Sequence, residues 1–300
     1  MRTNYLHKAA SRWRNLSLLW KVIIVNVAIF LTLRIIGIVD MITNSSVANT
    51  IIDWLVLPSG INEFVCKPWT LLTYMITHYD VWHVLFNMLT LYWMGTLFMY
   101  RCTPRQFMGL YIIGGLAGGI FYLAAAQVFP SLAGSLLGAS ASVIALVIAT
   151  AVIMPDHEIG LLLIGMVKLK YVAIVAIVAF ALGLVGNNPG GHVAHIGGMF
   201  AGLAFGMLYI RGVDITSPLN RSIDGIVNLF NREGKPKKHK FNFKKAHKNA
   251  PKQENSTNAV DEKEQAREEL DRILDKIRKS GYTSLTADEK KRLFDTSSKL

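Results

Sequence analysis

The chain has 300 residues, of which 52% are apolar and only 17% charged, and its mean hydropathy is positive. A soluble domain of this size needs more charge to wet its surface, so the composition excludes an ordinary water-soluble enzyme and points to membrane spans. The net charge of +12 gathers in the first 21 residues and again over 232–252, on the flanks of apolar runs, which fits the positive-inside rule better than a nucleic-acid surface; no nucleic-acid partner is expected.

In chain order, the basic, acid-free start (residues 1–21) reads as a cytoplasmic lead-in; part of a mitochondrial transit peptide is the other reading of such a composition. Six spans follow, over about 22–39, 81–100, 107–128, 137–154, 171–186 and 193–210, so that 22–211 forms the membrane core. Lys and Arg flank them asymmetrically. Arg101 and Arg105 follow the second span and Lys168 and Lys170 the fourth, whereas the alternate connections 129–136 and 187–192 hold none and 40–80 holds only Lys67. Both termini are therefore expected in the cytoplasm. Arg34, near the outer end of the first span, is expected to snorkel outward. Apolar pieces within 40–80 and 159–170 are too short to cross and are expected to lie in the interfaces. Cys66 and Cys102 fall on opposite sides of the bilayer in this topology, which argues against an intramolecular disulfide.

Beyond the spans, residues 212–257 are Lys- and Asn-rich and read as a flexible linker. Residues 258–300 read as a small helical hairpin. Leu270, Ile273, Leu274 and Ile277 are at helical spacing there, and Thr286 stands three residues before Glu289 in a capping-box pattern.

Spans two, four and six run in the same direction, so their starts share one depth near the outer surface. There stand His83 and Asn87, four apart on one helix face, Gly138-Ala139-Ser140, and His192 with His195. Polar groups in a bilayer are costly and usually functional. Taken singly, a serine bonds its own helix and a histidine packs in a core; the coincidence of depth is what singles these out. Gly198, Gly202 and Gly206 repeat every four residues behind His195, and Ala141, Ala145 and Ala149 form a matching small stripe on span four. If the two stripes meet, His195 reaches Ser140. Such a pair suffices for nucleophilic catalysis, with Ser140 at a helix N-terminus and His83 and Asn87 available as donors to an oxyanion. No acid is placed to orient His195, which favours a dyad over a triad. No cofactor or metal is expected.

The segments HYDVWHVLFNMLTLYWMG (78–95), LGASAS (137–142) and HVAHIGGMFAG (192–202) resemble the rhomboid family of intramembrane serine proteases in order and spacing across about 45–211. The resemblance implies an all-α, six-helix membrane bundle. It implies Ser140 as nucleophile, His195 as base, His83, Asn87 and the Ser140 amide as the oxyanion site, and Gly138 as a point of close backbone approach. The expected substrates are transmembrane proteins reached within the lipid bilayer. Six spans resemble the bacterial type, hence a bacterial inner membrane, and the final hairpin resembles a tail appended to some bacterial rhomboids. The sequence departs from the family pattern at Ala141, where Gly is frequent, at Ile144, where an aromatic is frequent, and at Trp69-Thr70, where Trp-Arg is frequent.

Three rival readings remain. A catalytically inactive rhomboid-like chaperone or trafficking factor usually lacks the Ser or the His, and both are present. A transporter would line a path through the whole bilayer, whereas polar residues cluster at one face. A zinc protease built on His78, His83, His192 and His195 would lack both an H-E-x-x-H motif and a nearby carboxylate base.

Overall fold

The computed structural model describes residues 11–161, 165–183 and 188–230, with 272–273, 275–276, 285–286 and 288–289 from the tail. Residues 1–233 form one compact unit and 234–300 a second.

Helix α1 (Leu18–Thr43) begins where the Ser17 hydroxyl accepts from the Trp20 N–H and ends at Asn44, whose φ of 55° stops the helix. The connection to the second span is built of short pieces: α2 (Val47–Leu55), β1 (Leu57–Pro58), α3 (Ile61–Cys66), α4 (Thr70–Thr73) and a 3-10 turn at Tyr74–Ile76. Trp69 stacks on Trp54 at 5.4 Å and donates its indole N–H to the Trp54 carbonyl at 2.9 Å. Helix α5 (Val81–Phe98) is capped by Asp80, which accepts from the His83 N–H. Helix α6 (Pro104–Val128) opens with a reciprocal Thr103–Gln106 capping box. Strand β2 (Ser135–Leu136) then pairs antiparallel with β1, Leu57 opposite Leu136.

Helix α7 (Ser140–Ile153) begins three residues after the expected start of span four. The strand and the left-handed Gly138 (φ +114°) occupy the intervening residues and cannot be helical. Its 14 residues rise about 21 Å, less than the hydrocarbon thickness. The segment after it is not merely an apolar interfacial piece. Strands β3 (Glu158–Leu161) and β4 (Gly165–Lys168) form an antiparallel hairpin. Lys170 at 2.8 Å, with Lys168, holds the Asp156 carboxyl below its usual pKa range. Helices α8 (Leu169–Gly183) and α9 (Pro189–Ile210) complete the bundle, and Asn188 caps α9 through the Gly191 N–H at 3.1 Å.

Residues 217–230, assigned above to the linker, form a helix, α10 (Ser217–Phe230). Arg105 pairs with Asp224 at 3.2 Å and Gln106 donates to Asp214 at 3.0 Å, tying this region to the start of α6. Among the described residues α1, α6 and α9 are long and apolar enough to cross a membrane, and α7 and α8 are shorter apolar helices. The fold is an all-α membrane bundle, as expected.

The centre of the bundle is made of glycine. α9 packs on both α6 and α7, which also touch each other. A Cβ on Gly198 would strike the Ala141 carbonyl and stand 2.9 Å from Ile144 Cγ2. On Gly202 it would strike the Ala145 carbonyl. On Gly197 it would stand 2.6 Å from the Ala117 carbonyl of α6. The two small stripes read from the sequence do meet, and α6 supplies a third that the motifs did not single out.

Most of the expected tail hairpin lies outside the described residues. Within it, Glu289 caps the Thr286 N–H at 2.7 Å and receives Lys276 at 2.8 Å, as the capping-box pattern predicts. Lys276, followed by the Thr286 amide, pulls its carboxyl down to about 2.

Candidate active site

Three helix starts converge at the end of the bundle that carries the 44–80 connection. The Ser140 hydroxyl lies 2.7 Å from Nε2 of His195, across 55 residues of sequence. The contact depends on the glycine stripe, because His195 stands one turn before Gly198, where α9 rides directly on the α7 backbone. Both side chains are half-buried. Ser140 is the first residue of α7, so its amide N–H belongs to the helix turn that has no intrahelical acceptor. That places partial positive charge beside the hydroxyl.

Gly138 lets the lead-in strand turn into the helix. Its φ of +114° disfavours any L-side chain, and a Cβ there would stand 2.6 Å from Cε1 of His83. The His83 ring therefore lies against the backbone just before the serine. His192 meets His195 edge-on, with ring centres 5.5 Å apart.

A cavity of about 370 Å³ opens between α5 and α7. Ser140, His195, His83 and Asn87 all line it, and Trp82 and Val147 are among its apolar walls. The four polar residues singled out in the sequence are thus brought to one chamber. Asn87 donates one N–H of its amide to the His83 carbonyl at 2.9 Å, which orients the side chain and leaves the second N–H for another acceptor.

The supporting residues also find their places. Ala141 is buried with its methyl against α6, 2.5 Å from where a Cβ of Gly118 would be. The missing side chain at 118 makes room for alanine where the family often has glycine. Ile144 lines the chamber and packs against Gly198.

His78 entered the sequence reading only as a ligand in the rival zinc reading, with no part in the serine site. His78 is 1% exposed, and its Nε2 accepts the Ala139 N–H at 3.3 Å. Accepting at Nε2 requires a neutral ring, so His78 holds the residue before Ser140 without adding charge. Its ring meets His83 edge-on at 5.1 Å. The only sequence signal was its position five residues before His83. His78→Ala leaves the buried Ala139 N–H without an acceptor and is expected to cost about 1–3 kcal/mol, measured by thermal unfolding in detergent. His78→Gln, which restores an acceptor, should recover part of that loss; equal loss in both variants would assign His78 to packing alone.

The profile of the Rhomboid domain matches residues 65–212, which hold this entire constellation. The chain belongs to the rhomboid family. A second profile, of a family of unknown function, matches the tail at 256–299. This rhomboid is 31% identical over 151 residues to Presenilin-associated rhomboid-like protein A, mitochondrial, of Danio rerio, covering 48% of the chain and 37% of that protein. It is 39% identical over 54 residues to RHOMBOID-like protein 12, mitochondrial, of Arabidopsis thaliana, covering 18% of the chain and 16% of that protein. The chain therefore spans little more than a third of the first relative and about a sixth of the second. Both relatives are named as mitochondrial, so they lend no support to the bacterial inner membrane expected above. The family and the apolar helices make this an integral membrane protein.

Proposed function

We propose that this rhomboid is an intramembrane serine endopeptidase that hydrolyses peptide bonds in or near transmembrane segments of other proteins. The observation that carries the reading is the 2.7 Å contact between Ser140 Oγ and His195 Nε2 at the start of α7. In the first step His195 takes the hydroxyl proton at Nε2 while Ser140 Oγ attacks the scissile carbonyl carbon. The carbonyl oxygen becomes an oxyanion that accepts from the Ser140 N–H, with the His83 and Asn87 side chains as further donors. His195 then gives its proton to the leaving amine, and the C–N bond breaks. Water repeats the sequence on the acyl-enzyme, with His195 as base and Ser140 as leaving group. Ser140 is thus the nucleophile, His195 the general base and acid, and Gly138, Ala141, Gly198 and Gly202 fix their separation.

The substrate is a transmembrane segment entering laterally from the bilayer. A helix shields its own peptide bonds, so the cut falls where Gly, Pro or other small residues weaken it. The chamber between α5 and α7, apolar at its walls and polar at one end, suits an extended stretch of such a chain. Both termini lie on the side rich in Lys and Arg.

The full chain reconstituted in liposomes with a model transmembrane substrate tests this. Wild type should cleave and be labelled at Ser140 by a fluorophosphonate, and Ser140→Ala should do neither. Equal cleavage by both proteins, or a folded wild type that takes no label, would favour the inactive, chaperone-like reading.

A further inference from the structure

A second cavity lies against α1 and shares no lining residue with the chamber. We propose that it binds the phosphate of a glycerophospholipid through Arg34. The cavity, about 520 Å³, is bounded by α1, the start of α2 and residues 78–79. Arg34 sits nine residues before the end of α1, about 13 Å along the axis from it, within an apolar span. Its guanidinium stacks 4.6 Å from the Tyr79 ring centre and 5.6 Å from that of Phe30. Among the described residues no carboxylate lies within 4.0 Å of it and it makes no hydrogen bond.

A guanidinium offers five N–H donors, and leaving them unpaired inside a bilayer is costly. The nearest acid in the cavity is already committed. Asp40 accepts from the Ser45 hydroxyl and from the Ala48 N–H at 2.6 Å, closing the turn into α2. The cavity thus presents a cation without an anion. Its polar rim, Asn44 and Asn49, can meet glycerol and ester oxygens, and Ile38 and Met41, 57% and 80% exposed, face the acyl region beside it. A phosphodiester supplies what is missing, because it accepts the guanidinium fork with two parallel charge-assisted bonds.

The test is native mass spectrometry of the full chain, delipidated in detergent and titrated with dioleoyl-phosphatidylglycerol. One lipid should be held more tightly than the rest. Arg34→Gln should weaken it roughly tenfold or more, and Arg34→Lys, which keeps the charge but not the fork, by less. Gly37→Leu gives an independent reading, because a Cβ at Gly37 meets only Ala48 Cβ at 3.9 Å and the side chain grows into the cavity. It too should lower lipid affinity with Arg34 intact. Thermal unfolding in lipid-free detergent identifies the variants that are folded. Dioleoylglycerol, which lacks phosphate, should not compete, and inorganic phosphate should compete only weakly. Unchanged lipid affinity in Gly37→Leu and in folded Arg34→Gln overturns the proposal. Inorganic phosphate binding as tightly as the lipid overturns the assignment to a lipid.

Discussion

Replacing His195 with Ala should slow cleavage of a transmembrane substrate by roughly 10²–10⁴-fold, the usual contribution of a positioned general acid–base. A serine hydroxyl holds its proton firmly at neutral pH, and the 2.7 Å contact to Nε2 is what offers that proton a destination. The same nitrogen must return it to the leaving amine, so both halves of the reaction suffer. The loss should appear in kcat with KM little changed, because the apolar walls of the chamber remain. Fluorophosphonate labelling of Ser140 should slow in parallel, since the probe needs the same activated oxygen. A folded His195→Ala protein that labels at the wild-type rate would show that the imidazole does not activate Ser140.

Gly202→Leu should destabilise the bundle by more than about 3 kcal/mol, beyond the usual range for overpacking. A Cβ at that position already strikes the Ala145 carbonyl, which belongs to backbone and cannot swing aside. Relief requires α9 to move off α7, and His195 moves with it. The lowered thermal midpoint should therefore come with loss of Ser140 labelling. Gly225→Ala provides the contrast. Gly225 lies in α10 with nothing within 4 Å of an added Cβ, and this change should be neutral or stabilise by about 0.5–1 kcal/mol. A Gly202→Leu protein as stable as wild type would mean that the backbones of α7 and α9 are not in contact at Ala145.

The helices expected at the six apolar runs were legible from composition, three of them long enough to cross a membrane, and their edges moved mostly where a capping side chain such as Ser17, Thr103 or Asn188 starts a helix early. The meeting of Ser140 with His195 was legible from two stripes of small residues. Strands β3 and β4 were not, because a short apolar run reads alike as an interfacial piece or a strand, and pairing across a turn leaves no signal in one strand alone. The helix at 217–230 was hidden by the Lys-rich composition that follows it, although Leu219, Ile223 and Val227 recur at helical spacing. The later start of α7 was missed because apolar Leu136 and Leu137 extend the hydrophobic run into residues that pair as strand or turn at Gly138. The contact of His78 was missed because its partner is a backbone amide 61 positions away, which no local pattern announces.

The helix at the middle of the bundle, α9, is the last of its apolar helices to be synthesised. Until it arrives, α6 and α7 face a gap that only a glycine-lined helix fits, and the Ser140 hydroxyl lacks its contact with the His195 imidazole. A nascent chain threaded into the bilayer as far as α8 would thus carry an inert serine. Biosynthesis itself would keep the hydroxyl silent until the molecule is complete.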